Sequence, residues 1–116
     1  MAYITTEEAK LFLRVDSTYE DALIASIISS GESICRSVAR LDETDWELVG
    51  DAETATEDVE INGILHTPAM LVRLKNQLLG GIRYAVGYLY EHREDANMDE
   101  LTRNLSRILF IREGFF

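Results

Sequence analysis

A chain of 116 residues has room for one compact domain with a single core. Its composition, 47% hydrophobic and 28% charged, is that of a globular protein and excludes the highly charged, apolar-poor profile of a disordered one. The formal net charge of −10 argues against a nucleic-acid binder, because such proteins neutralise phosphates with clustered Lys and Arg.

The expected compartment follows from the single cysteine and from the lack of targeting features. Cys35 has no partner for an internal disulfide, and one cysteine is too few for a cysteine-based zinc site. The first residues lack the basic end and apolar run of a signal peptide, and no run of about 18 apolar residues could span a bilayer. We therefore expect a soluble chain in a reducing, cytoplasmic setting that does not enter a membrane.

Four helix starts are indicated by side chains that can cap unpaired backbone N–H groups. They are Thr5 with Glu8, Ser17 with Glu20, Thr67 before Pro68, and Asn97 with Glu100. Apolar residues at helical spacing follow each of them. The sequence therefore predicts one all-α domain over 1–116, a small bundle of about four helices at about 6–14, 18–40, 68–92 and 98–109.

The connection 42–66, between the second and third predicted helices, is strongly acidic. Residues 41–66 contain nine of the 21 acidic residues and no Lys or Arg. Because so many charges are costly to bury, we expect this connection to project from the core. Trp46, Leu48 and Val49 suggest a short extended piece, and the apolar residues around Asn62-Gly63 suggest a hairpin.

This acidic connection has two interpretations. It is either a solvated loop, or it faces DNA inside a channel, where like charge would keep the passing DNA from sticking. The candidate channel-facing residues are Asp51, Glu53, Glu57 and Asp58.

The third predicted helix is apolar nearly all round, so neighbouring subunits are expected to supply part of its cover. Gly80, Gly81 and Gly87 lie inside it, each at a cost of up to ~1 kcal/mol relative to alanine. The helix is either kinked there or packed closely on another backbone, and we favour close packing. The side bearing Gly81, Ala85 and Tyr88 is the candidate interface, against the second helix or a neighbouring subunit.

The end of the chain is apolar, whereas free termini are usually polar. Phe110, Ile111, Phe115 and Phe116 follow the residues that helix four needs to seat itself on the core. These four side chains either complete the subunit's own core or anchor another chain, and aromatic residues are frequent anchors. We interpret them as a candidate partner-binding site.

No motif for catalysis or metal binding is present. His66 and His92 have no second histidine or cysteine at ligand spacing, and the acidic connection lacks the alternating pattern and central glycine of an EF-hand. No glycine-rich phosphate loop or serine-nucleophile motif occurs. Cys35 falls on an apolar helical stripe, where cysteine is usually inert. We therefore expect no enzymatic activity, cofactor or metal.

Three stretches of the chain share their order and spacing with a known family. They are the opening Ile4–Asp16 with its Thr-Thr-Glu-Glu helix start, the acidic helix start Tyr19–Ile24, and Thr67-Pro68 with the apolar helix ending in Tyr88–Arg93. Together they resemble the head-to-tail connector, or adaptor, family of long-tailed phages, whose members are also called DNA-packaging proteins. The acidic residues 42–60 and the ending Leu109–Phe116 depart from the family's pattern.

The resemblance implies a structural virion protein that assembles in the host cytoplasm. Subunits of this family form a homo-oligomeric ring beneath the portal protein and offer a downstream surface to stopper or tail-completion proteins. DNA passes through the channel of the ring without sequence-specific binding. Many adaptors remain monomeric until they meet a portal.

Two other classes of protein remain open. The stronger rival is a small helical regulatory or nucleic-acid-binding protein, against which the charge balance argues. The weaker is a metal- or nucleotide-dependent enzyme, against which the lack of a ligand-spaced cluster argues.

Overall fold

The computed structural model describes residues 3–109, which form a mostly helical domain with one small sheet. Its five helices are α1 Thr6–Leu13, α2 Asp21–Ala39, α3 Glu43–Gly50, α4 Pro68–Glu91 and α5 Met98–Leu109. A 3-10 turn at Ala52–Thr54 and the strands β1 Val59–Ile61 and β2 Ile64–His66 lie between α3 and α4. The helical character is confirmed, but the described chain is not a pure four-helix bundle.

Three of the four predicted helix caps are present. Thr5 forms a reciprocal capping box with Glu8: its hydroxyl accepts from the Glu8 N–H at 3.1 Å, and its own N–H donates to the Glu8 carboxylate at 2.9 Å. Thr67 accepts from the backbone N–H of Met70 at 3.2 Å. Asn97 accepts from the backbone N–H of Glu100 at 3.0 Å.

The predicted start of the second helix at Ser17 is wrong. Helix α2 begins at Asp21, and Glu20 occupies the N-cap position without a side-chain cap. The reason is a long-range contact: the Glu20 carboxylate accepts from the hydroxyl of Tyr90, near the end of α4. A tertiary hydrogen bond has therefore replaced the local one that the sequence pattern suggested.

The core forms around α4, which contacts every other helix of the described chain. Helix α2 packs closely on it at Gly31, where an added Cβ would lie 3.1 Å from Val86 Cγ2 and 3.5 Å from Ala85 Cβ. Helix α5 packs on another side of α4, where Gly81 leaves room for Leu109 and Leu105. The chain's own helices thus cover much of the apolar surface that we expected neighbouring subunits to cover.

The connection 42–66 is a folded module rather than a projecting loop. Trp46 and Val49 are buried, and the expected extended piece around them is helix α3, capped by Asp42, which accepts from the Asp45 N–H at 2.8 Å. The spacing of the buried residues fits a helix and not an extended piece, because Trp46 and Val49 are three residues apart and so face the same side of a helix. Carboxylates occupy the outer side, so the module packs on the core without burying them.

The predicted hairpin is confirmed. Strands β1 and β2 are antiparallel, with Val59 opposite His66 and Ile61 opposite Ile64. Asn62 and Gly63 both have positive φ, 54° and 79°, as a tight type I′ turn requires.

Neighbouring glycines of α4 provide a test of this packing. A Cβ at Gly81 would lie 3.0 Å from Leu109 Cδ2, whereas at Gly80 it would have no neighbour within 4 Å. Gly81→Leu is expected to destabilise the domain by about 1–3 kcal/mol through overpacking. Gly80→Ala is expected to stabilise it by up to ~1 kcal/mol through helix propensity alone.

Urea denaturation followed by circular dichroism measures both variants. A Gly81→Leu protein as stable as the parent would contradict the close packing of α5 on α4.

Candidate functional site

The candidate interface on α4 lies inside the subunit. Gly81 and Ala85 are buried, by α5 and α2 respectively, and Tyr88 is only 8% exposed. The Tyr88 hydroxyl accepts from the Asn97 N–H at 2.9 Å, which fixes the start of α5 against α4. The expected close packing therefore exists, but Gly81 meets α5 rather than α2, and these residues offer little surface to a second subunit.

The candidate channel-facing acids lie on the outer side of the folded module. Asp51, Glu53, Glu57 and Asp58 are all exposed. Glu53 differs from the other three because its carboxylate lies 2.7 Å from the ammonium of Lys75 on α4. That hydrogen bond lowers the pKa of Glu53, and Lys75 also donates to the Gly50 carbonyl at 2.8 Å. Lys75 thus fastens the end of α3 to α4.

The second candidate partner-binding set, Phe110, Ile111, Phe115 and Phe116, lies outside the described residues 3–109. Its predicted role as an anchor stays a prediction. The described chain ends at Leu109, whose side chain is fully buried against Gly81.

Residues 3–109 hold no group of three or more His, Cys, Asp and Glu side chains that could bind a metal ion. His66 is buried, and its Nδ1 donates to the Ile64 carbonyl at 2.8 Å. The His92 ring stacks on Tyr88 with centroids 4.2 Å apart. Burial raises the pKa of the Cys35 thiol to about 12, so the reactive thiolate is not formed at neutral pH.

Exposed apolar side chains, which sequence patterns did not reveal, are concentrated where α1 ends and α2 begins. Leu11 is 80% exposed and Tyr19 is 94% exposed, and Phe12 and Leu23 are exposed beside them in sequence. We call these four residues the apolar corner. They are four of the seven large hydrophobic side chains exposed in residues 3–109.

Polar contacts join the two helices that carry the apolar corner to each other and to the end of α4. The Lys10 ammonium lies 2.9 Å from the Asp21 carboxylate, which joins the end of α1 to the start of α2. Glu20 accepts from Tyr90 and lies 3.8 Å from Arg93, so the junction is also tied to the end of α4. An exposed apolar patch marks a protein interface more often than singly scattered apolar side chains do.

A concave feature lies between α2 and α3, with a volume of about 390 Å³. It is lined by Ala25, Ile28, Ser29, Glu32, Ser33, Arg36, Glu43, Trp46 and Glu47. We call it the α2–α3 cleft. Sequence reasoning missed it because it treated residues 42–49 as part of a loop.

Comparison of the chain with protein-family models, curated proteins and solved structures finds no match. In the described part of the chain, no helix is both long enough and apolar enough to cross a membrane. Function must therefore be argued from the surfaces described above and from the sequence resemblance.

The three acids on the outer side that form no ion pair with described residues, Asp51, Glu57 and Asp58, should be dispensable for folding; we call them the outer acids. Asp51→Asn, Glu57→Gln and Asp58→Asn together are expected to change the free energy of unfolding by no more than about 0.5 kcal/mol, because the three side chains are exposed and form no ion pair with described residues. Lys75→Met should be more harmful, about 1 kcal/mol or more, because it removes the donor to the Gly50 carbonyl.

Thermal and urea unfolding of the two proteins provides the comparison. A large loss of stability in the triple variant would show that these acids take part in the fold.

Proposed function

We propose that this chain is a structural subunit of a phage particle, an adaptor that forms a ring under the portal protein and joins the DNA-filled head to stopper or tail proteins. In this proposal the chain has no catalytic role and assembles in the host cytoplasm before it becomes part of the virion. The outer acids of the 42–66 module face the DNA channel.

The apolar corner is the observation that carries the proposal. Leu11, Phe12, Tyr19 and Leu23 are all exposed within residues 11–23, and such a concentration of apolar side chains marks an interface more often than singly scattered ones do. The corner also falls within the two opening stretches, Ile4–Asp16 and Tyr19–Ile24, that resemble the adaptor family. The surface that needs a partner and the sequence that suggests one therefore coincide.

The charge distribution supports the same function. The acids of the module are on its outer side, and a surface of this kind repels DNA rather than binding it. A wall that repels DNA suits a channel through which a genome slides, and it counts against a nucleic-acid-binding regulator.

The corner gives the first test of the proposal. Leu11→Ser with Tyr19→Ser should leave the monomer folded, since both side chains are exposed, but should weaken binding to the portal protein of the same genome or assembly into rings. Loss of an interface anchor costs about 2 kcal/mol, or roughly 30-fold in affinity. Leu65→Ser with Met98→Ser is the matched control, because these residues are 59% and 45% exposed elsewhere.

Binding is measured by interferometry on immobilised portal, and ring formation by native mass spectrometry and electron microscopy. If the parent chain neither binds the portal nor forms rings in its presence, the proposed function is wrong. Equal losses in both double variants would remove the corner's special role.

The last residues of the chain, 110–116, give an independent test. Deletion of residues 110–116 is expected to yield a folded monomer that no longer joins portals, if Phe110, Ile111, Phe115 and Phe116 anchor the partner. A sharp fall in melting temperature would instead show that the tail completes the subunit's own core. A deleted chain that melts normally and still assembles would contradict both interpretations.

A further inference from the structure

The α2–α3 cleft is a preformed concavity that the proposed ring does not require. One face of α2 supplies its floor, and one face of α3 supplies a wall with Glu43, Trp46 and Glu47. Only three residues connect the two helices, and Arg40 among them adopts a left-handed conformation with φ of 59°. Because the connection is this short, α3 starts close to the end of α2, and residues of both helices line the cleft.

Tyr3 and Ile4 contact two residues that line the cleft, Glu32 and Trp46. The Tyr3 ring stacks on Trp46 with centroids 4.2 Å apart, and its hydroxyl donates to the Trp46 carbonyl. The Tyr3 N–H donates to Glu32 Oε2 at 2.7 Å, and the Ile4 N–H donates to the same oxygen at 3.4 Å. Tyr3 therefore bridges α2 and α3, and it fixes both Trp46 and Glu32 before any ligand arrives.

The charges that line the cleft are unbalanced. Glu32, Glu43 and Glu47 face a single cation, Arg36, whose Nε donates to the Leu41 carbonyl at 3.3 Å. The ion pairs of the described residues involve none of these four side chains. Partial burial raises the pKa of Glu32, although its carboxylate accepts from the backbone N–H groups of Tyr3 and Ile4.

We propose that the α2–α3 cleft binds a segment of a partner protein that presents an arginine side chain. A guanidinium matches this site for two reasons: it can pair with carboxylates through two parallel hydrogen bonds, and its plane can pack against the small part of Trp46 that lines the cleft. The volume of about 390 Å³ is at the low end for ligand pockets, and it suits one or two side chains better than a whole helix.

This inference does not depend on the ring. The cleft residues are separate from the apolar corner and from the outer acids Asp51, Glu57 and Asp58. A chain that fails to bind a portal could still bind an arginine-bearing segment, and the reverse also holds. The two proposals therefore fail on different measurements.

Trp46 is the only tryptophan of the chain, so its fluorescence reports directly on the cleft. The probe is the acetylated and amidated peptide Gly-Arg-Gly-Arg-Gly, titrated into the full chain at fixed ionic strength, with amide NMR shifts recorded in parallel. We expect saturable quenching or a spectral shift, and NMR changes confined to residues that line the cleft. The same peptide with lysine in place of arginine should bind more weakly, because an ammonium cannot form the paired hydrogen bonds.

Two double variants each remove two negative charges, one pair inside the cleft and one pair outside it. Their comparison distinguishes binding in the cleft from general attraction to an acidic protein. Glu43→Gln with Glu47→Gln should weaken peptide binding by about tenfold or more, since two of the three carboxylates that line the cleft are lost. Glu57→Gln with Asp58→Asn lies outside the cleft and should change the affinity by less than about twofold. Ser33→Phe keeps the charge but fills the floor, and it should abolish binding in a protein whose circular dichroism is unchanged.

Three results would overturn the inference. One is the absence of any change at Trp46 or in the NMR shifts of cleft residues. Another is equal weakening by the two double variants, which would mean diffuse attraction to an acidic protein. The third is binding of spermidine at least as tight as that of the arginine peptide, which would make the cleft a site for small cations.

Discussion

The close approach of α2 to α4 at Gly31 determines how the rest of the subunit is arranged. A Cβ at that position would lie 3.1 Å from Val86 Cγ2, so the backbone of α2 lies close to a side chain of α4. These are the two longest helices of the described chain. This contact fixes the axis of α4, and α4 then offers Gly81 to α5 and Lys75 to the end of α3. Because dense packing transmits small displacements, the positions of the corner and of the cleft both depend on this one contact.

The 42–66 module shows how a strongly acidic segment can still be part of a folded domain. Four of its apolar residues, Trp46, Val49, Ala52 and Ile61, are buried, while most of its carboxylates are exposed. Burying all nine of these carboxylates unpaired would cost more than the small net stability of a domain can offset. The helical and strand periodicities within the module solve this problem by separating the two kinds of side chain onto opposite sides.

Sequence reasoning located what depends on local chemistry and missed what depends on tertiary contact. The caps at Thr5, Thr67 and Asn97 and the Asn62-Gly63 turn are local, and all are present. The start of α2 was misplaced because Glu20 bonds to Tyr90, 70 residues away. The α2–α3 cleft was missed for the same reason, since it exists only once α3 has formed beside α2. Its one available signal was Asp42 as a cap before Trp46 and Val49 at helical spacing.

The apolar surface of α4 leads to a different view of assembly from the one that its sequence suggests. An almost uniformly apolar helix predicts neighbours that cover it, but α2, α5 and the 42–66 module already do so within one chain. A subunit that completes its own core can fold before it assembles, and its unsatisfied apolar surface then lies at the periphery, on α1 and the start of α2. Peripheral contacts of this kind can form without unfolding the domain, as the proposed adaptor role would require.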